Sequence, residues 1–467
     1  MKITTVTNTF SNSVNNFLYQ KVSIAPLIMF RIIFGALLLF GTLRFLSKGW
    51  VEQLYILPKY HFGYLGFEWV QKLPGNWMYL PFIVMIITAL MVIVGYFYRV
   101  AITSFFLCFT YVELIDKSYY LNHYYFVSLM CFILIWLPGH RCFSLDVKRK
   151  SVPELHNVPN WTIRIIQFQL GVVYFFAGIA KLNSDWLIEG QPLWIWLQAH
   201  HNIPLVGPLL QEKWMAIAFS WAGCLYDLFI VFFLLMARTR KFAYLFVVFF
   251  HLVTWYLFPI GVFPWVMIFS TLIFFSPNFH EIALDRLQRL FRKDNSLNTA
   301  TSNSAPFPSA RWVNVTIALY IIFQLTVPFR YLLYPGSLYW NEEGFRFSWR
   351  VMLMHKEGHA VFYLKDKKTG RESEINNAKF LTRTQEDQMA TQPDMILQYV
   401  QFLKAYHHGK VLHYGNEKFT IKDPAIHAEI YVSLNNRLSQ KFVDKRHDLT
   451  TFAYDLKHRK WLEPFNE

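Results

Sequence analysis

A lone lysine in an apolar setting is the feature of this sequence best suited to chemistry. Lys181 ends an apolar run over 173–180, and Asp185 and Trp186 follow closely. Because removing an ammonium from water is costly, such a lysine either finds a partner or loses its proton. A neutral lysine is a competent general base near neutral pH. The same residue could instead be an interfacial side chain that snorkels from a helix end.

A second polar cluster lies about sixty residues upstream, between two apolar runs. It reads Asp116-Lys-Ser-Tyr-Tyr-Leu-Asn122-His123. His123 could take part in chemistry or merely cap and anchor a helix. Ionisable groups inside a membrane are expensive and are functional candidates by default. The further candidates inside apolar runs are Arg31, Arg164, Asp227 and His251.

These intramembrane groups have structural alternatives as well. The two arginines could snorkel or pair, Asp227 could be the partner of either arginine, and His251 could be a hydrogen-bonded packing residue. Because one chain contains several such groups, a shared polar cavity is favoured over ionisable residues that are buried separately without a common role.

Composition indicates the class of protein that must position these residues. Of 467 residues, 54% are hydrophobic, 19% aromatic and only 16% charged, which is typical of a polytopic membrane protein. We predict a membrane all-α domain of about nine transmembrane helices, followed by a soluble β-rich (α+β) domain. The predicted spans are 25–46, 76–97, 99–116, 120–138, 160–181, 214–236, 240–258, 261–276 and 312–333.

The basic residues orient this arrangement. The net charge of +15 comes from clusters beside apolar runs, so membrane topology explains it better than nucleic-acid binding. Clusters follow the fourth, sixth and eighth predicted spans and fall on one side, which the positive-inside rule assigns to the cytoplasm. We therefore predict a multi-pass protein with Lys181 and the C-terminal domain on the non-cytoplasmic side.

Changes in composition divide the chain. Residues 1–24 are polar and lack the apolar core of a cleaved signal peptide, so the first apolar run should be a retained span. Residues 25–333 form the membrane domain, with a polar low-complexity linker at 294–310. Residues 334–467 form the soluble domain, with a predicted hairpin at 361–370, a helix over 393–406 and a strand over 427–433.

Several familiar motifs are missing from the sequence. It contains no phosphate-binding lysine loop, no nucleophile elbow, no His-Glu-x-x-His and no dinucleotide glycine fingerprint. The four cysteines lack metal-ligand spacing and are expected to be small core residues. A predicted turn separates His355 from His359, so we predict no metal site.

Taken together, the longer segments resemble the vitamin K-dependent γ-glutamyl carboxylases, whose membrane part is called the HTTM domain. The resemblance covers nearly the whole chain. The membrane segments that carry it are 116–123, 174–186 and 250–265, and the soluble segments are 340–350 (Trp-Asn-Glu-Glu-Gly-Phe-Arg-Phe-Ser-Trp-Arg) and 430–437 (Ile-Tyr-Val-Ser-Leu-Asn-Asn-Arg).

The resemblance implies a coupled lyase reaction. Oxygenation of reduced vitamin K by O2, ending in the 2,3-epoxide, produces a strong base that removes a γ-proton from a peptide glutamate, and the carbanion adds CO2. It implies that Lys181 is the base that deprotonates the hydroquinone and that His123 stabilises the charged intermediate. The expected quinone-binding residues are His251, Asn122, Tyr120 and Trp255. The implied partners are a glutamate-containing peptide or protein and the lipid bilayer, with no nucleic acid.

The sequence also departs from the animal carboxylases. They carry a disulfide between the membrane and soluble parts, whereas this chain has no cysteine after Cys224. Ala180 stands where they have a second lysine. A quinol epoxidase that does not carboxylate peptides is therefore an alternative, and a transporter or membrane scaffold is a third hypothesis.

Overall fold

The membrane region is built from helices that are mostly long and apolar. The computed structural model describes residues 13–291, 307–414 and 417–466, so residues 294–306 of the predicted linker lie outside the described residues. Within the described residues, six helices are long and apolar enough to cross a membrane. They are Ala25–Ser47, Gly75–Val94, Tyr98–Ile115, Trp161–Ala180, Lys213–Leu235 and Arg311–Leu333.

The predicted number of about nine spans is wrong. Asn122–Trp136 is apolar but has 15 residues, or about 22 Å, against a hydrocarbon thickness of about 30 Å. Arg240–Leu257 is helical but starts with two cations. Phe263–Phe274 is bent by 114° from Pro277–Arg289, and this pair would raise the count to seven as one broken span. Apolar composition located these helices, but it does not reveal where a helix stops or bends.

The central helix of the bundle carries Lys181 at its end. In the helix Trp161–Ala180, 72% of the most apolar 18-residue stretch is buried inside the protein. The corresponding share is 11–50% in the other five candidate spans. This helix packs closely on Lys213–Leu235 because Gly178 has no side chain. A Cβ atom there would lie 2.8 Å from the backbone nitrogen of Leu228, so glycine permits the approach that brings Asp227 to Lys181.

The C-terminal region is an α+β unit around one antiparallel sheet. Its four strands are β3 (Lys356–Asp366), β4 (Glu372–Ile375), β7 (Pro424–Leu434) and β8 (Gln440–Val443), in the order β4-β3-β7-β8. The predicted hairpin corresponds to β3 and β4, and the predicted strand to β7. The predicted helix over 393–406 is observed as Pro393–His407, which packs on the sheet beside Arg383–Thr391. A separate hairpin pairs β5 (Val411–Tyr414) with β6 (Glu417–Thr420).

Short elements complete the described chain. β1 (Lys21–Ser23) pairs with β2 (Asn157–Pro159). A π-helical turn occupies Glu52–Ile56. The 3₁₀ helices are Gly75–Tyr79, Lys117–Tyr119, Thr271–Phe274, Val327–Leu333, Asn377–Lys379 and Leu449–Thr451. The short α-helices are Leu145–Lys148, Ser184–Leu187, Leu193–Gln198, Gly207–Leu210 and Leu338–Asn341.

The C-terminal unit packs on the end of the helix bundle that carries the two polar clusters. Lys117 bonds to Asp394 at 2.8 Å. On the other side of this contact region, Asp185 bonds to Arg437 at 2.7 Å. Both membrane loops with candidate residues therefore contact the same C-terminal unit.

Candidate active site

Lys181 is held at the C-terminal end of its helix by a carboxylate. Its Nζ donates to Asp227 Oδ2 at 2.6 Å and to the carbonyl oxygen of Ala177 at 3.3 Å. Only 8% of the lysine side chain and 7% of the aspartate side chain are exposed. The Trp186 ring lies 5.3 Å from Nζ, within the range of a cation–π contact. The lysine thus has a charge partner, a backbone acceptor and an aromatic wall.

The Lys181–Asp227 pair faces an apolar cavity, which we call the lysine cavity. Its lining also includes Tyr174 and His251, which are joined by a hydrogen bond of 3.0 Å between the hydroxyl and Nε2. The remaining walls are mainly aromatic and aliphatic, and Val351 and Met352 of the C-terminal region contribute to them. The apolar lining residues from the helix bundle include Val173, Leu193, Phe219, Phe250, Phe258, Phe263 and Met267.

His123 lies in a neighbouring cavity, which we call the histidine cavity. Tyr120, Asn122 and His123 line it together. The two cavities share the lining residues Ile260, Phe263, Val351 and Met352. Phe263 stands between the histidines, since its ring centroid is 5.3 Å from that of His123 and 6.3 Å from that of His251. Lys181 and His251 therefore share a cavity, and His123 lies on the other side of a phenylalanine.

Tyr120 and Asn122 use their polar atoms to hold a loop of the C-terminal region. The Tyr120 hydroxyl accepts from the backbone nitrogen of Phe347 at 2.8 Å and donates to Asn122 Oδ1 at 3.0 Å. Asn122 Nδ2 donates to the carbonyl oxygen of Arg350 at 2.7 Å. These contacts fix the loop that closes the histidine cavity.

Trp255 lies at the outer surface of the bundle. Its side chain packs edge-on against Trp265, with a centroid distance of 5.7 Å, and about half of the residue is exposed. Among the described residues, it belongs to neither of the two cavity linings.

The structure adds two relationships to the predicted site. Asp227, a candidate intramembrane group that could pair with Arg31 or Arg164, pairs with Lys181 instead. Tyr174 is a further lining residue of the lysine cavity, and it precedes Lys181 by seven residues, which is two helical turns and places both on one face. That spacing was available in the sequence, whereas the Asp227 contact depends on how two helices pack.

Two parts of the chain match known domain families. Residues 19–279 match the HTTM domain, and residues 309–467 match the lumenal domain of vitamin K-dependent γ-carboxylase. The chain belongs to the vitamin K-dependent γ-carboxylase family. No solved structure gives a significant match.

In this carboxylase-family protein, the lysine cavity combines phenylalanine rings with the polar side chains of Lys181 and His251. Such a lining can accommodate a flat apolar ring system that carries oxygen substituents. The one described cluster of possible metal ligands, Cys142, Glu154 and His156, contributes to neither the lysine cavity nor the histidine cavity.

Outside the membrane-spanning helices, charged pairs between the two regions shift pKa values. Burial raises the pKa of Asp185, but hydrogen bonds from Arg437 and Asn435 outweigh it, so the pKa lies below its ordinary value. Burial likewise opposes ionisation of Asp394, yet Arg346 and Lys117 hold its pKa well below the ordinary range. Burial lowers the pKa of Lys117 to about 8, although Asp394 acts in the opposite direction.

Proposed function

We propose that this protein is a vitamin K-dependent γ-glutamyl carboxylase, a carbon–carbon lyase acting on a peptide or protein glutamate. The observation that carries the proposal is the Lys181–Asp227 pair at the wall of an apolar cavity whose lining also includes the hydrogen-bonded Tyr174 and His251. The reduced quinone, when bound, supplies the reducing equivalents for O2 and the strong base that the carboxylation needs.

Lys181 is the proposed proton acceptor for a quinol hydroxyl. An ammonium must first lose a proton to become a base, and Asp227 Oδ2 is the acceptor in contact with it, at 2.6 Å. Transfer along this hydrogen bond leaves a neutral amine and a neutral carboxylic acid, so the pair changes no net charge inside the membrane. The neutral amine would accept a proton from a hydroxyl group held next to it, and the resulting ammonium would stabilise negative charge at that position.

The cavity walls support chemistry that water would quench. A γ-carbanion is protonated rapidly in water, so its carboxylation requires a dry site. Aromatic and aliphatic side chains of the helix bundle form most of the lining, while Val351 and Met352 cover it from the C-terminal side. A glutamate side chain is proposed to enter from this side, past the loop that Tyr120 and Asn122 hold.

His123 is proposed to act on charge that develops next to the lysine cavity. It borders the histidine cavity and stacks on Phe263, which both cavities share. This position suits a group that stabilises negative charge during turnover. His251 is proposed to orient the quinone, because its Nε2 is already fixed by Tyr174 and its ring lies in the wall.

We further propose that the active site and the C-terminal domain lie on the non-cytoplasmic side. Basic clusters flank the opposite ends of the helices, and the C-terminal match is to a lumenal domain. The site would then act on secreted or exported peptides.

The decisive experiment follows two products separately in purified protein. Reduced vitamin K, labelled bicarbonate and a glutamate peptide should give epoxide and labelled peptide together. Epoxide without label in any tested peptide or cellular protein would support the alternative, a quinol epoxidase without carboxylation. Neither product, from protein shown to be folded, would contradict both enzyme functions.

A further inference from the structure

Asp185 joins the Lys181 loop to the C-terminal domain by a bidentate contact. Its two carboxylate oxygens accept from Arg437 at 2.7 and 2.9 Å, and Asn435 Nδ2 donates to it at 2.7 Å. The aspartate side chain is 14% exposed. A planar, two-bond contact of this kind fixes orientation as well as distance.

The C-terminal side of this contact is built rigidly. Asn435 follows the last residue of β7 and adopts a left-handed backbone conformation, with φ of 49°. Its side chain accepts from the backbone nitrogen of His355 at 2.9 Å, and its own backbone nitrogen donates to the carbonyl of His355 at 2.9 Å. Asn435 is therefore tied to the start of β3 before it reaches Asp185.

The membrane side leads directly to Lys181. Asp185 precedes Trp186, whose ring lies 5.3 Å from Lys181 Nζ and whose indole nitrogen donates to Ser220 at 2.8 Å. Asn183 donates to the carbonyl of Ala180 and caps the short helix by accepting from the backbone nitrogen of Trp186. A displacement of Asp185 would thus move the Trp186 ring beside the Lys181 amine. It would also move Asn183, which bonds to the end of the helix that carries Lys181.

We propose that Asp185 is a positioning residue, through which Arg437 and Asn435 of the C-terminal domain set the position of the Lys181 amine. This inference rests on the proposed role of Lys181 as base and adds the device that holds it. We call the contact of Asp185 with Arg437 and Asn435 the loop clamp. It couples the domain that would bind peptide to the group that starts quinol oxidation.

The neighbouring residue Glu189 offers a matched control. It forms an ion pair with Lys213 at 2.6 Å in the same stretch of chain, but both side chains are well exposed and the partner belongs to the membrane region. The variants to compare are Asp185→Asn, Arg437→Ala, Arg437→Lys, the charge swap Asp185→Arg with Arg437→Asp, and Glu189→Gln.

The test uses full-length protein in lipid nanodiscs and two readouts. Hydrogen exchange of backbone amides over 183–191 should rise in Arg437→Ala and Asp185→Asn, and stay unchanged in Glu189→Gln. Epoxidation should lose turnover by about tenfold to a hundredfold, with little change in the Michaelis constant for hydroquinone, because a misplaced base affects the transition state. Arg437→Lys should retain intermediate activity, since lysine cannot make the bidentate contact. The charge swap should recover part of both losses.

The two readouts separate failure of the clamp from failure of the proposed function. Unchanged exchange over 183–191 in both clamp variants would overturn the clamp, whatever the activity. Increased exchange with unchanged turnover would overturn its role in positioning the base. Wild-type protein that forms no epoxide would contradict the proposed function, and the exchange data would still report whether the clamp orders the loop.

Discussion

Lys181 and Asp227, 46 residues apart, form a buried ion pair with an Nζ–Oδ2 distance of 2.6 Å. Their helices approach closely at Gly178, one turn before the lysine. Each charge alone would be costly in this environment, whereas the pair is neutral overall. The arrangement places a lysine and a carboxylate that can accept its proton at the wall of the lysine cavity.

Lys181→Ala should abolish epoxide formation because it removes the proposed base. Small primary amines added to the variant should restore part of the rate by occupying the space beside Asp227. Epoxide formation is measured by chromatography, and size exclusion in detergent checks the fold. Lys213→Ala, which removes an exposed lysine from a neighbouring helix, is the control and should keep wild-type activity. Normal epoxidation by folded Lys181→Ala without added amine would refute the assignment.

Stability and catalysis should separate when both members of the pair are replaced. Lys181→Met or Asp227→Leu alone leaves an unpaired buried charge and should destabilise the protein by about 3 kcal/mol. The double variant Lys181→Met with Asp227→Leu should regain most of that stability, because apolar side chains of similar size suit the site. It should remain inactive. Unfolding midpoints in detergent test this prediction, and strictly additive losses in the double variant would contradict it.

Phe263→Ala should uncouple epoxidation from carboxylation. Phe263 separates the lysine cavity from the histidine cavity, and its truncation would join them and admit water. The ratio of epoxide to carboxylated peptide should rise several-fold. Phe269→Ala, at a partly exposed ring on the same helix, should leave the ratio unchanged. A lower rate at constant ratio would mean that Phe263 serves packing alone.

The sequence predicted the type and approximate position of most elements but not their contacts. Apolar runs located the helices, and alternation located β3 and β7, because both signals depend on local periodicity. The pairing of Lys181 with Asp227 depends on the approach of two helices, and that of Asp185 with Arg437 joins residues 252 positions apart. The span count failed where an apolar helix is too short to cross a membrane, as at Asn122–Trp136, and where a short apolar helix is followed by a sharp bend, as at Phe263–Phe274.

Labelling should report Lys181 and the C-terminal domain on the same, non-cytoplasmic face. In a background without the four native cysteines, Leu182→Cys and Lys367→Cys place thiols at exposed positions beside Lys181 and in the C-terminal domain. Both should react with an impermeant maleimide added to intact cells. Lys150→Cys, in the basic cluster after the helix Asn122–Trp136, should react only after permeabilisation. Opposite accessibility of positions 182 and 367 would contradict the shared face.

Acid should weaken the contact between the two regions through Asp394. Its pKa lies well below the ordinary 3.8 because Arg346 and Lys117, at 2.7 and 2.8 Å, outweigh the effect of burial. A carboxyl whose pKa is lowered by folding contributes stability above its unfolded pKa and loses it as pH falls towards the folded value.

Asp394→Asn should therefore cost about 3 kcal/mol at pH 7, where it leaves two cations without their carboxylate. The difference in unfolding free energy between wild type and variant should shrink as pH falls below about 4, because protonation then weakens the wild-type contact as well. Lys117 adds a second trend at high pH, in which stability again increases as pH rises. Its pKa is about 8 in the folded protein, so the unfolded chain holds this proton more tightly, and the contribution of Lys117 to stability rises from about pH 8 to 10.5.

Asp387→Asn is the control, because it removes an exposed pair with Arg383 and should change stability by less than about 1 kcal/mol. Unfolding measured from pH 3 to 10 tests both trends, and a constant difference between wild type and Asp394→Asn across the acid range would contradict the assignment of acid sensitivity to this carboxylate.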